Sequence, residues 1–474
     1  MRRFFSVLIG FCIIAAGFFG GFGADAVRRA GDNPRALAYG LSAVPAQVAS
    51  ALRPASARAD QGEGATLVPE RTYFEVMQRI RSDHYGSAAP DTTKLTYAAV
   101  RGMLKTLGDP YTTFWPPQEF LKNMEDTRGD FGGIGAQLGV DDKKRVYIAK
   151  PMENSPAMRV GIARGDVILA VDGKPTQGLI VDSVVSRIRG KKGTQVRLKL
   201  QRMENGQERI FDVTVVRDQI TSPTVEARII DAEAGIGYLG LRQFNEPAEG
   251  QFIGKLRQME KQNLKALVFD LRGNPGGLLN VAIDIASHFV PSGSVVLVQE
   301  KNGRRTSLDV DQSKRAQSPK LARGDYPVVV LIDGGSASAS EIVAGAIKDH
   351  EKGTLIGQTT FGKGLVQTIF PIIGDAAVKI TTQRYFTPAG TDINKKLDPV
   401  NGKTISGGVK PDVEVEVTDK DFEALRKAQK ADPDDMSKDP QFNKAMAILK
   451  DQLSGKLPRP VAVARGEAKA ASTK

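Results

Sequence analysis

The sequence predicts an α/β core interrupted by a small β-rich module, with helical extensions at the N- and C-terminal ends. Two stretches carry this expectation. Residues 235–415 alternate buried-type strands with helical segments, the order of a sheet covered by helices. Residues 130–218 carry a glycine cluster, Gly132, Gly133, Gly135 and Gly139, followed by short period-two strands separated by turn residues. At 474 residues the chain exceeds one ordinary domain of about 150. With 41% hydrophobic residues each part can bury a core.

The N-terminus reads as an export segment. Arg2 and Arg3 precede an apolar run from Phe4 to Phe22, and Ala24-Asp25-Ala26 offers a small-x-small cleavage site. The run is longer than the ~7–15-residue apolar core of a signal peptide. It approaches the ~20 residues that span a bilayer. Residues 1–26 are therefore expected to be a signal peptide or a membrane anchor. Either way the arginines stay inside and the body lies in the periplasm or another extracytoplasmic space.

Residues 27–66, rich in Ala, Pro, Gly and Arg without a sustained period, read as a linker or a loose helical approach. An N-terminal helical region follows over 67–116. Tyr73, Val76, Met77 and Ile80 share one helical face, and a second helix fits Lys94–Leu107 until Gly108-Asp109-Pro110-Tyr111 stops it. In the β-rich module, strands are expected at Val146–Ile148, Val167–Val171, Val196–Leu200 and Phe211–Val216. In the core, strands are expected at Leu264–Asp270, Val328–Ile332, Thr354–Ile356, Leu365–Ile369 and Val378–Thr382, with helices at Leu278–Phe289 and Ser340–Asp349. Residues 421–474 are charged and helical, then fade into a Pro/Ala/Lys tail.

Composition narrows the function. The net charge of +12, from 66 basic and 54 acidic residues, is spread out, and no basic stretch is interleaved with aromatics, so no nucleic-acid partner is expected. Cys12 is the only cysteine and falls in the apolar run, which removes disulfides and thiolate chemistry from the folded part. His84, His288 and His350 are the only histidines, so no metal site and no cofactor are expected.

The chemistry concentrates in residues 333–367. Asp333-Gly-Gly-Ser-Ala-Ser-Ala-Ser-Glu-Ile342 joins a strand to a helix, and a serine at a helix N-terminus suits a nucleophile whose attack creates an oxyanion. Ser338 and Glu341 equally spell a capping box. His350 lies twelve residues beyond Ser338, about 18 Å along one helix at ~1.5 Å per residue, so it is no partner. Lys363, in Phe361-Gly362-Lys363-Gly364, is the better base, because burial lowers a lysine pKa toward the neutral form. A surface lysine in a glycine turn is its plain alternative. If the following strand includes it, positions 363, 365 and 367 share a face, and Gln367 can orient the amine. Gly357-Gln-Thr-Thr-Phe-Gly362-Lys363-Gly364 resembles a phosphate-binding loop, yet it lacks the following Ser/Thr and precedes a strand. Within Asp270-Leu-Arg-Gly273-Asn-Pro-Gly-Gly277, the Gly273 amide could join that of Ala339 in an oxyanion hole; a plain strand-to-helix turn is the alternative.

Together these segments resemble the carboxy-terminal processing peptidases, tail-specific serine peptidases, from about Tyr73 to Val417. The resemblance rests on Phe131-Gly-Gly-Ile-Gly-Ala136, Gly165-Asp-Val-Ile-Leu-Ala-Val-Asp-Gly173, the 270–277 loop, Ser336-Ala-Ser-Ala-Ser-Glu-Ile342, Phe361-Gly-Lys-Gly364 with Gln367, and Lys410-Pro-Asp-Val-Glu-Val415. It implies a crotonase-like peptidase core over 219–420 with an inserted PDZ domain over 117–218. It implies Ser338 as nucleophile, Lys363 as base, Gln367 as its orienter, and Gly273 and Ala339 as oxyanion donors. Gly133, Ile134, Gly135 and Ala136 match a loop that receives a substrate carboxylate, and Arg189 matches an arginine coupling the PDZ domain to the active site. The partners it implies are protein substrates held by their C-terminal tails; an envelope adaptor protein, membrane anchoring through the N-terminal segment and a homo-oligomer are left open by the segments 27–66 and 420–474, which lie outside the resemblance. Asp333 replaces a usual asparagine and Val160 a usual alanine; neither is a reacting group. The alternative is a PDZ-based adaptor on an inactive peptidase fold, against which both Ser338 and Lys363 are present. A crotonase-like acyl-CoA enzyme fits neither the export segment nor the PDZ motif.

Overall fold

The computed structural model describes residues 69–459, apart from 87–90, 142, 205, 222, 399–401, 403, 433 and 434. The expected export segment, the linker through residue 66 and the end of the tail lie outside the described residues. The chain divides into two compact units, 1–96 and 97–474. Helix α1 (Pro69–Asp83) lies in the first, and α2 (Thr92–Lys105) begins there. Ion pairs Arg71–Glu75 and Arg79–Asp83 at i,i+4 support α1, whose Tyr73, Phe74 and Val76 are exposed.

In the second unit, β1 (Thr113–Trp115) and α3 (Pro117–Arg128) lead into the β-rich module. Its strands are β2 (Asp130–Gly133), β3 (Ala136–Val140), β4 (Val146–Pro151), β5 (Val167–Val171), β6 (Lys174–Pro175), β7 (Gln195–Glu204), β8 (Gln207–Val216) and β9 (Asp218–Thr221). Short helix α4 (Pro156–Arg159) and helix α5 (Val181–Ile188) complete it. The sheet runs β3-β4-β5-β7-β8, with β6 on β5. Strand β7 shows the period-two logic directly: Val196, Leu198 and Leu200 are buried while Gln195, Arg197 and Lys199 face out. Entry strand β2 pairs with exit strand β9, Asp130 opposite Thr221, so the ends of the insert meet.

The core begins with β10 (Val225–Asp231), β11 (Ile236–Leu241), α6 (Ala248–Lys261), β12 (Ala266–Asp270) and α7 (Leu279–Ser287). Hairpin β13 (Ser294–Gln299) and β14 (Arg305–Asp309) follows, then α8 (Gln312–Arg315), α9 (Pro319–Arg323), β15 (Val328–Ile332), α10 (Ala339–Asp349) and β16 (Thr354–Gly357). After β17 (Leu365–Ile372) and β18 (Ala376–Phe386) come the short β19 (Lys396–Leu397), β20 (Thr404–Ser406) and β21 (Val413–Glu414), then α11 (Asp419–Ala431) and α12 (Pro440–Leu453).

A six-stranded sheet has the order β10-β11-β12-β15-β16-β21, parallel from β11 onward. Every residue of β12 and β15 is buried, as a sheet covered on both faces requires. Leu267, Phe269, Val330 and Ile332 pack on α6, α7 and α10, while Val268, Val329 and Leu331 pack on Phe442, Ala445 and Leu449 of α12. Truncating such a core aromatic as Phe269 to alanine costs about 3–5 kcal/mol. The C-terminal region, read from sequence as charged helix and tail, thus contains the helix that covers one face. A second, antiparallel sheet has the order β1-β18-β13-β14, with β17 on the other edge of β18. The nucleophile and base segments leave the ends of β15 and β16, where loops converge above a rigid sheet.

Candidate active site

Three serines of one loop have three different environments. Ser336 and Ser340 are buried, and their hydroxyls donate to the carbonyls of Leu271 (2.8 Å) and Asn274 (2.9 Å). They fasten the nucleophile loop to the 270–277 loop. Ser338 lies between them at φ 56° and ψ −113°, a left-handed backbone that costs a non-glycine residue about 1–3 kcal/mol. Gly276 makes room for it: a Cβ there would lie 2.8 Å from Ser338 Cβ and 2.9 Å from Ala339 N.

The capping box is only partly realised. The Glu341 carboxylate accepts the Ser338 N–H at 2.8 Å, but the Glu341 N–H donates to the Ser338 carbonyl at 2.9 Å, so the cap is made through the serine backbone. The buried Tyr385 hydroxyl donates to the Lys363 carbonyl. Ala339 is the first residue of α10, where an amide has no acceptor within the helix.

Glu341 is fully buried and gathers four donors. Oε1 accepts from Thr360 Oγ1 (2.5 Å) and Gly362 N (2.7 Å); Oε2 accepts from Ser338 N and Lys363 N (2.9 Å). Burial pushes its pKa up, and these hydrogen bonds oppose the shift. One carboxylate therefore fixes both segments that carry the candidate nucleophile and base. From the sequence, Glu341 read only as a capping partner.

Lys363 is partly buried, with Nζ 5.1 Å from the centre of the Tyr111 ring. Burial lowers its pKa first, the positive charge of Lys379 lowers it further, and Glu341 and Asp109 act against them. The turn that read as a helix stop thus supplies part of the site. Asp109 holds that turn by accepting from Tyr111 N (2.9 Å) and Thr112 Oγ1 (2.6 Å).

Two expectations meet a different geometry. Lys363 precedes β17 rather than lying on it, and a bulge follows at Val366/Gln367, so the alternation of 363, 365 and 367 does not apply. The Gln367 amide donates to Leu365 O (3.1 Å) and Thr381 Oγ1 (3.5 Å). The Gly273 amide donates to Asp333 Oδ1 at 2.9 Å, which also accepts from Gly335 N and Ser336 N. In this arrangement the Gly273 amide is engaged by the Asp333 carboxylate, and Gly276 packs against Ser338. Asp270 below the loop is buried and bound by Arg272, which also reaches Asp439 at 2.7 Å. Burial raises the Asp270 pKa and Arg272 pulls it down, with a net lowering.

The histidines stand apart. His350 caps α10 and contacts Ser294 O (2.7 Å). His288 lies between Ser318 Oγ (2.8 Å) and Glu249 Oε1 (3.0 Å), a Ser-His-Glu row, but both Ser318 and His288 are buried and no peptide reaches them.

In the β-rich module Gly133 ends β2, and Ile134 is buried with its carbonyl accepting from Ala157 N at 2.8 Å. Gly135 has φ 71°, and a Cβ there would sit 2.4 Å from Ser155 Cβ. Ala136 opens β3, the edge strand of its sheet, which packs beside α5. Arg189, just after α5, pairs with Asp126 of α3 at 3.2 Å and covers the Phe131 ring at 3.9 Å. Helix α3 in turn packs on β1 and β18.

A family model described as peptidase family S41 matches residues 235–415, and one described as PDZ domain matches residues 147–202. The chain is 36% identical over 303 residues to the carboxyl-terminal-processing protease of Synechocystis, spanning 63% of this chain and 69% of that protein. It is 34% identical over 348 residues to the carboxy-terminal-processing protease of Bartonella bacilliformis, spanning 73% and 74%. A solved photosystem II D1 C-terminal processing protease shares 29% identity, with TM-score 0.41 and 76% and 92% of the two chains covered. The loops that meet around Ser338 and Lys363 thus lie within the matched peptidase region, and the chain belongs to the carboxyl-terminal-processing proteases, serine peptidases of family S41 that carry a PDZ domain.

Proposed function

We propose that the chain is an endopeptidase of the cell envelope that holds a protein substrate by its C-terminal tail and cuts it with a Ser338–Lys363 dyad. The observation that carries this reading is the shared Glu341 oxygen, which receives the amides of both residues. Neutral Lys363 takes the Ser338 proton as Oγ attacks the scissile carbonyl, and returns it to the leaving amine. Water then attacks the acyl-enzyme by the same route. The amides of Ala339 and Gly273 stabilise the oxyanion, the second once substrate draws it from Asp333 Oδ1. Gln367 aligns the amine once substrate is bound.

The PDZ domain, taken as 117–218, receives the tail as an added strand on β3, with the terminal carboxylate at the loop Gly133–Ala136. Arg189 transmits the position of that domain through Asp126 and α3 to the core. The envelope location rests on the apolar N-terminal run; among the described residues no helix is long and apolar enough to cross a membrane. Incubating an unfolded exported protein with the enzyme and with Ser338→Ala tests the reading. Internal cleavage by the first alone is expected, and equal cleavage by both would sink it.

A further inference from the structure

A second lysine stands in the wall around the base. Lys379 lies on β18 opposite Thr113 of β1, and Trp115 is its diagonal neighbour on the same face. Its Nζ lies 5.0 Å from the centre of the Trp115 ring, a cation–π placement that favours the charged amine. The turn just before β1 meets the other lysine, with the Tyr111 ring 5.1 Å from Lys363 Nζ. Thr112 of that turn accepts the Thr381 N–H of β18 at 3.0 Å, two residues from Lys379. One short segment, Asp109–Trp115, therefore places both amines. Both are partly buried, and among the described residues neither makes an ion pair.

We propose that Lys379 is a positioning residue for the reaction: held over Trp115, its ammonium is the fixed charge that makes Lys363 the amine which gives up its proton. The inference rests on Lys363 being the general base. The charged and titratable groups facing Lys363 are Lys379 and Tyr385 from β18, Asp109 and Tyr111 from the turn, and Glu341 from α10. Burial and then Lys379 lower the Lys363 pKa, against Glu341 and Asp109. Lys379 is also lowered by burial, and Asp109 opposes this. The Trp115 ring favours a charged Lys379, and that charge together with burial favours the neutral form of Lys363. Two neighbouring ammonium groups are a known way to make one of them a base at lower pH.

The test is the pH profile of kcat/KM on an unfolded protein substrate. Lys379→Gln should move the rising limb to higher pH by about one unit, an approximately tenfold loss below the limb. Lys379→Arg should leave the limb in place, and Asp109→Asn should move it to lower pH. A Lys379→Gln profile that is merely scaled down, with its limb unmoved, overturns the proposal. An inert Lys363→Ala enzyme alongside that result would leave Lys363 as the base and defeat only the role of Lys379; an active Lys363→Ala enzyme would defeat the base itself. A readout that leaves both lysines and Asp109 in place comes from Trp115, the chain's single tryptophan. In Ser338→Ala protein its emission should titrate with Lys379 at higher pH than the kcat/KM limb. A change at lower pH would mean that Lys379 deprotonates first, and would overturn the proposal.

Discussion

Oε2 of Glu341 accepts the backbone N–H of Lys363 at 2.9 Å, and the same oxygen accepts that of Ser338 at 2.8 Å. The two residues are 25 positions apart and reach the site from different strands. Neither strand end fixes them alone, because each lies in a loop. A buried acceptor shared by both amides does. Glu341→Gln keeps the size but replaces one acceptor oxygen with an NH2 group, which would face amide donors. Each donor left unpaired costs about 1–3 kcal/mol. We expect a lower Tm and a fall in kcat/KM of about 10²-fold, the loss a displaced reacting group produces. Thermal melts and steady-state kinetics on the variant check both, and wild-type activity would remove Glu341 from the site.

The dyad makes a non-additive prediction. Ser338→Ala and Lys363→Ala should each abolish cleavage while leaving the circular dichroism spectrum unchanged. Residues that act as one unit lose their effect together, so the double variant should be little slower than either single one. Independent, multiplying losses would argue for two separate roles.

Lys363 also links activity to stability. Its pKa is lowered in the folded protein, first by burial and then by Lys379. The unfolded chain then binds more protons between the folded pKa and the ordinary lysine value of about 10.4. Stability therefore rises with pH across that window, and at neutral pH the buried ammonium is a destabilising group. Lys363→Met keeps the apolar stem and removes the charge. At pH 7 it should raise the Tm by about 2–4 °C, the shift that one kcal/mol produces in a domain of this size, while abolishing cleavage. A stabilisation that shrinks toward pH 10 supports the linkage; an unchanged or lower Tm at neutral pH counts against it.

The parallel sheet was legible because its strands are continuous apolar runs: Val328–Ile332 could hardly be anything but a buried strand. Helix α12 was not, since Phe442, Ala445, Ile448 and Leu449 are spaced among charged residues and its burial depends on a sheet face formed far earlier in the chain. Ser338 and Lys363 stood out through motif order. Glu341 did not, because its local role as a cap hides its bonds to Gly362 and Lys363, which exist only after β16 returns the chain to α10. Asp109, Tyr111 and Lys379 were invisible for the same reason: each reaches Lys363 through pairing of β1 and β17 with β18, a long-range register that no local pattern encodes. The simple alternation of 363, 365 and 367 was not legible as wrong, because a bulge at Val366/Gln367 adds one residue and reverses the faces of the strand beyond it.

Tail recognition gives the last prediction. Gly135 has φ 71°, and its missing Cβ leaves space against Ser155, so the turn between β2 and β3 can bring successive amides to one point. Beyond that turn β3 is an edge strand with helix α5 beside it, the geometry in which an extended peptide adds a strand and ends with its carboxylate at the turn. A charged acceptor on backbone amides is worth about 1.5–3 kcal/mol. Peptides with an apolar C-terminal residue should therefore bind Ser338→Ala protein about 10- to 100-fold more tightly as free acids than as amides. Gly135→Ala should weaken the free acid strongly, since a methyl group would meet Ser155 Cβ at 2.4 Å in a backbone that alanine rarely adopts. It should leave the amide nearly unaffected. Calorimetric titration of matched acid and amide peptides into both proteins separates these outcomes. Equal affinities for the two peptides would rule out carboxylate capture and leave strand addition alone to hold the tail.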